Sequence, residues 1–118
     1  MTNPVPQVQF RMRVYRDGSI AIGPGRITLL EAIDRTGSIS AAARQLKMSY
    51  RRAWLFVNDT NNALKKPAVT SSEGGASGGG SKLTETGQAL IRHYRNIELI
   101  AAQAAKADID ALTALIAR

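Results

Sequence analysis

Cysteine is absent from the 118 residues. That removes disulfide scaffolds, cysteine-based zinc sites and thiol nucleophiles together, and it suits a reducing cytoplasm. Histidine occurs once, as His93, with Arg92 and Arg95 beside it and no Asp or Glu three or four residues away. A helical metal cluster therefore has no ligands to draw on. No uncharged apolar run approaches the roughly 18 residues that a bilayer-spanning helix needs. The opening MTNPVPQVQFRMRVYR has no apolar stretch of the secretory kind, so neither a leader peptide nor a membrane partner is expected. What remains is ordinary for a globular chain: 44% hydrophobic and 21% charged residues, in a length suited to one domain.

The charge is uneven. The net formal charge is +7 and the pI about 10.4. Residues 1–66 hold eleven Lys or Arg against four Asp or Glu, whereas residues 67–118 hold five of each. Between Arg44 and Lys66 there are six basic residues and one acid, Asp59. A local excess of this kind suits a polyanion, of which nucleic acid is the commonest.

The hydrophobic pattern divides the chain. VQFRMRVY, residues 8–15, alternates as a half-buried strand does; Asp17-Gly18 is a hairpin turn signal, and Ser19–Ile22 supplies the returning strand before Gly23-Pro24-Gly25. Arg26–Arg35 reads as a helix stopped by Gly37, and Ser40 is placed to cap a second over Ala41–Leu46. Ser49 is placed to cap a third, about Tyr50–Leu64, with Tyr50, Ala53, Trp54, Val57, Asn61 and Leu64 on its inner face. Arg51, Arg52, Leu55, Asp59 and Asn62 fall on the other side. Beyond Pro67, the β-prone segments Ala68–Ser72 and Ser81–Leu83 flank the glycine tract Glu73–Gly80. Thr84 then caps a helix with Gly87 in its first turn, and no proline interrupts the chain from there to Arg118.

Two short helices joined by a tight turn, the second basic at its start, are the requirements of a helix-turn-helix. Ala41, Ala42 and Ala43 permit close packing of the first. The opening turns of the second enter a major groove deepest, which selects Ser49, Tyr50, Arg51 and Arg52. Arginine suits that place because it donates two bonds to guanine O6 and N7, or grips phosphate. Tyr50 has a core position on the wheel and a hydroxyl able to reach a phosphate. The glycine tract between β-prone segments has the look of a wing. A phosphate-cradling loop is excluded by order, because Gly80 is followed by Ser81 before Lys82. Asp108 and Asp110, two apart on a helix, do not face one another. With no catalytic constellation, no enzyme activity and no cofactor are expected.

The last segment carries one apolar stripe through Leu90, Ile91, Tyr94, Ile97 and Ala101, resumed by Ala105, Ile109, Leu112 and Ile116. As one helix it would be about 50 Å long, against roughly 30 Å for a small domain. Part of the stripe therefore needs a second chain, and Leu90, Tyr94, Ile97, Ile109, Leu112 and Ile116 are its candidate dimer contacts.

Taken together, GPGRITLLEAIDRTGSISAAARQLKMSYRRAW (residues 23–54) and GSKLTETGQALIRHY (residues 80–94), with the leading RVYRDGSIAIGPG, resemble the N-terminal DNA-binding domain of the ModE molybdate-responsive regulators. The G-S-I-S-A-A-A-R turn, M-S-Y-x-x-A-W and L-T-x-x-G carry the likeness in this order and spacing. LysR-type regulators share a related winged helix and a similar L-T-x-x-G. The resemblance implies a winged helix-turn-helix that dimerises through its long helix on a palindromic operator. The oxyanion-binding domains of full-length members have no counterpart before Arg118, so molybdate binding by this chain is not expected.

The sequence thus predicts a mostly α fold with a small β component. Residues 1–83 form a leading hairpin and a winged helix-turn-helix; residues 84–118 form a long dimerisation helix of the same domain. The expected function is a cytoplasmic, sequence-specific transcriptional regulator, binding double-stranded DNA as a homodimer. Arg51 and Arg52 would read bases or adjoining phosphates, and Ser38, Ser40, Arg44, Lys47 and Lys82 would position the DNA backbone. Tyr50 and Trp54 are expected to lock the helix onto the core. The alternatives are a LysR-like regulator, a protein-interaction module exploiting Leu55 and Phe56 on the outer face, and an oxyanion sensor built on Arg26, Arg51 and Arg52.

Overall fold

The structure, a computed structural model, describes residues 5–72 and 80–117. It opens with an antiparallel hairpin of β1 (Val14–Arg16) and β2 (Ser19–Ile22). Asp17 and Gly18 make the turn, at φ 52° and 80°, the handedness that matches strand twist. The first strand is shorter than its alternation suggests. Residues 5–13 are irregular, and the register slips between Val14 and Tyr15. β2 has only four residues, so the chain before Val14 has no strand to pair with. That segment is held by other means: Met12 packs against the core and its carbonyl accepts a 2.8 Å hydrogen bond from the Tyr94 hydroxyl.

Helix α1 (Pro24–Thr36) starts two residues earlier than expected because Pro24 occupies its first turn, where a missing N–H costs nothing. Gly37, at φ 75°, closes it in the left-handed conformation. Its buried side, Ile27, Leu29, Leu30, Ala32 and Ile33, is the centre of the core. Helix α2 (Ile39–Gln45) is capped by Ser38, not Ser40: the Ser38 hydroxyl accepts the Ala41 N–H at 2.8 Å. The chain leaves Gly37 extended at Ser38, and that extended residue is the one whose side chain turns back on the first helical N–H groups. Ala42 and Ala43 are buried against α1. Lys47, at φ 56°, makes the tight turn, and Ser49 caps helix α3 (Tyr50–Ala63) by accepting the Arg52 N–H at 3.1 Å.

Strands β3 (Val69–Ser72) and β4 (Gly80–Leu83) form the second hairpin, Val69 opposite Leu83 and Ser72 opposite Gly80. The expected glycine-rich tip, residues 73–79, lies outside the described residues. The hairpin is tied to both neighbours. Ser81 N–H donates to the Gly37 carbonyl at 2.9 Å, and the Asn61 amide both accepts from Ala68 N–H at 2.8 Å and donates to the Val69 carbonyl at 3.0 Å.

Helix α4 (Glu85–Ala104) begins at Thr84, whose hydroxyl donates to the Pro67 carbonyl at 2.6 Å and accepts the Gly87 N–H at 3.1 Å. Gly87 is required there, since a Cβ would collide with the Ala68 carbonyl. The single helix expected over 84–118 is divided. Ala105, at ψ 7°, leaves helical geometry before α5 (Lys106–Thr113). No proline or glycine causes the break. It falls in the alanine-rich tract, past Tyr94, the last fully buried residue of α4. α5 buries none of its residues, and the two helices form an arm on a molecule measuring 54 × 38 × 23 Å. No helix among the described residues is long and apolar enough to cross a membrane.

Candidate nucleic-acid interface

The outer face of α3 is set by what α1 and α2 leave room for. The residues that α3 buries are Ala53, Val57 and Thr60, the last bonded by Arg26 of α1. The helix is therefore rotated from the expected orientation. Tyr50 is 54% exposed and Trp54 46%, so neither locks the helix onto the core. They lie in the same helical row as Asn61, which bonds to β3, and so flank the side nearer the second hairpin. Arg51 and Leu55 are exposed next to them.

On the opposite shoulder Phe56 is half-buried rather than outward-facing, contrary to expectation. Two guanidinium groups lie over its ring, with Arg26 and Arg52 carbons 5.1 and 5.2 Å from its centroid. Arg26 is largely enclosed. It donates to the Phe56 carbonyl at 3.4 Å and the Thr60 hydroxyl at 3.3 Å, and lies 3.9 Å from the Asp59 carboxylate. It fastens α1 to α3 and does not converge with Arg51 and Arg52 on an anion. The sequence offered a signal for this. Arg26 and Asp59 are opposite charges in segments that must pack, and Asp59 is the sole acid of the basic stretch.

The two arginines singled out from the sequence thus differ. Arg52 lies back over Phe56 and shares an open cleft with Arg11, Lys47 and Ser49. Arg51 lines a shallow apolar recess with Tyr50, Trp54 and Leu55. Ser38 is half-buried with its hydroxyl engaged as a cap, while Ser40, Arg44 and Lys47 are exposed around α2 and its turn. Lys82 is exposed on β4 opposite Thr70. Trp54, Leu55 and Arg11 were not among the contacts expected from the sequence.

The candidate dimer residues separate as well. Tyr94 is 2% exposed and Leu90 packs against the same core. Tyr94 is therefore consumed within the chain, while Leu90 stays half-buried where α4 packs on the core. Ile97, Leu112 and Ile116 are exposed and Ile109 half-exposed, and Leu99, Ile100 and Leu115 join them at 62%, 56% and 86%.

A helix-turn-helix followed by a two-stranded hairpin and a further helix is a winged helix, of mostly α composition with small hairpins. The crystal structure of the CbnR_DBD–DNA complex contains a chain of the same fold, at TM-score 0.58 and 20% identity over 75% of this chain and 95% of that one. Sequence similarity is more specific. The chain is 52% identical over 77 residues to the molybdenum-pterin-binding protein MopB of Rhodobacter capsulatus, covering 65% of this chain and 28% of MopB. It is 40% identical over 89 residues to the molybdenum transport protein ModE of Azotobacter vinelandii, 75% of this chain and 33% of that one. Over 71 residues it is 42% identical to the DNA-binding transcriptional dual regulator ModE of Escherichia coli K12, 60% of this chain and 27% of that one. No family model matches the sequence. The likeness to ModE-type regulators drawn from the sequence therefore stands, and the chain spans about a third or less of the length of these relatives.

Proposed function

We propose that the chain is a sequence-specific DNA-binding transcriptional regulator, not an enzyme, acting as a homodimer on a palindromic operator. The observation that carries this is the exposed start of α3. Arg51 stands free at its surface, flanked by Arg52 and Lys47, on a winged helix with ModE-type relatives. In this reading α3 enters the major groove. Arg51 donates to base edges, while Arg52, Lys47 and Arg44 grip phosphates beside the turn. Ser38 and Ser40 approach the backbone from α2, and Lys82 does so from the second hairpin. Tyr50 reaches the DNA from the hairpin side of the groove.

The exposed arm supports the homodimer. Ile97, Leu99, Ile100, Leu112 and Leu115 are a costly surface for an isolated chain. A second copy covers them under two-fold symmetry, which sets the two recognition helices on one face of the duplex. Half-site centres then lie about 34–36 Å apart, or at a multiple.

Selection of bound sequences from random DNA tests this. The expected result is a two-fold symmetric consensus. Arg51→Ala should then lose preference at a defined base pair in each half-site, by roughly 1–3 kcal/mol, while Arg52→Ala weakens selected and scrambled DNA equally. An absence of any enriched sequence, or equal weakening of both DNAs by Arg51→Ala, overturns the assignment.

A further inference from the structure

The chain has one tryptophan, and Trp54 stands 46% exposed on α3, the helix whose first turn carries Arg51 and Arg52. It is not isolated. Tyr50 is 54% and Leu55 41% exposed, and the three line one shallow recess together with Arg51. A surface of this kind is unusual on a helix whose remaining outward side chains are charged or amidic, and no other described element covers it. Its electrostatic setting is equally one-sided. The first turn of α3 holds no acid, and the nearest carboxylate on the helix, Asp59, faces Arg26.

An occupant must therefore offer apolar contact to the recess and negative charge around it. Thymine in a duplex does both. Its C5-methyl group projects into the major groove, and the phosphates lie on either side. An acidic protein could match the charge, but the recess is shallow and lined by only four side chains. It suits a small apolar group better than a packed protein surface.

We propose that Trp54 and Leu55 are specificity-determining residues that read the C5-methyl groups of thymines next to the base pair contacted by Arg51. This rests on the reading of α3 as the groove-entering helix and goes beyond it, because it assigns apolar readout to residues that donate no hydrogen bond to a base. Trp54 meets the methyl with its ring on the side nearer the hairpin, and Leu55 does so from the outer face. Thymine is thereby distinguished from uracil, which presents the same hydrogen-bonding edge without the methyl.

The test uses the full chain and the operator obtained by selection, with each thymine replaced in turn by deoxyuridine. Loss of one methyl contact should weaken binding by about fourfold at one or more positions in each half-site, the worth of one buried methyl or methylene group. Trp54→Ala or Leu55→Ala should abolish the thymine–uracil difference at one of those positions. Arg51→Ala should keep it. Both side chains are substantially exposed, so folding should persist, and circular dichroism of each variant verifies that. If the operator is bound but no uracil substitution matters, the proposal is overturned and groove binding by α3 survives. If uracil matters and neither variant changes the difference, another element reads the methyl and the proposal is again overturned. If both variants keep the difference but lose transcriptional control in vitro, the recess contacts protein and not thymine. If the wild-type chain selects no sequence at all, it is the underlying reading of α3 that fails.

Discussion

Arg95 on α4 holds Glu31 on α1 through two parallel hydrogen bonds, Nε to Oε2 at 3.0 Å and a terminal nitrogen to Oε1 at 2.6 Å. The same guanidinium donates to Glu98 at 2.8 Å. This fork ties the middle of α4 to α1, just before the exposed apolar part of the last helices. The bond to Arg95 holds the Glu31 carboxyl below its ordinary value of 4.5, against the opposing effect of burial.

The first prediction follows from that shift. A depressed carboxyl contributes stability that is present above its ordinary pKa and is lost as pH falls through the folded value. Glu31→Gln should therefore lower the urea midpoint at pH 7 and flatten its decline in acid. Arg95 is 40% exposed, so solvent screening limits the effect to about 1 kcal/mol. Equal acid sensitivity of variant and wild type would show that the pair contributes nothing.

Gly87 is under a stricter demand. A Cβ there would strike the Ala68 carbonyl and crowd Leu83, displacing the joint between the second hairpin and α4. Gly87→Ala should cost about 1–3 kcal/mol, the usual penalty for overpacking, whereas Gly25→Ala, whose Cβ would make only ordinary contact with Phe56 in the first turn of α1, should be neutral or stabilise by up to about 1 kcal/mol. Thermal or urea unfolding of the two variants measures the difference.

Assembly tests the arm. Sedimentation should give a particle near twice 12.7 kDa. Leu112→Glu or Ile97→Glu should shift it toward the monomer without unfolding the winged helix, because neither side chain belongs to the core. Tyr94→Phe should instead destabilise the fold by about 1 kcal/mol, since it removes the bond to Met12 and leaves that carbonyl unpaired. Its effect on dimerisation should be small. A wild-type monomer at micromolar concentration would remove the dimer from the account.

Salt dependence separates phosphate contacts from base contacts. Each contact removed should reduce the slope of log affinity against log salt by about 0.9. Lys47→Ala, Lys82→Ala and Arg52→Ala should each do so with little change in base preference. A variant that alters preference at one base pair and leaves the slope intact has been assigned the wrong role.

Local chemistry was sufficient for much of this molecule. Asp17-Gly18 could turn only one way, Gly37 had to follow a helix, and Ser49 and Thr84 were the side chains able to cap what came next. These are contests between neighbours in the chain, so the sequence contains both sides of each. The concentration of positive charge before Lys66 and the order of the helix-turn-helix, hairpin and final helix were legible for the same reason. What tertiary structure alone decided was orientation. The apolar count on α3 favoured Tyr50 and Trp54 inside, but packing against the other elements buries the smaller Ala53, Val57 and Thr60, and the aromatic rings are turned outward. The stripe on the last helix likewise looked uniform. It is divided because α1 and the segment before β1 adjoin α4 only as far as Ala102, and α5 beyond it buries none of its residues within the chain. Volume and reach are properties of two elements at once, and neither can be read from the periodicity of one.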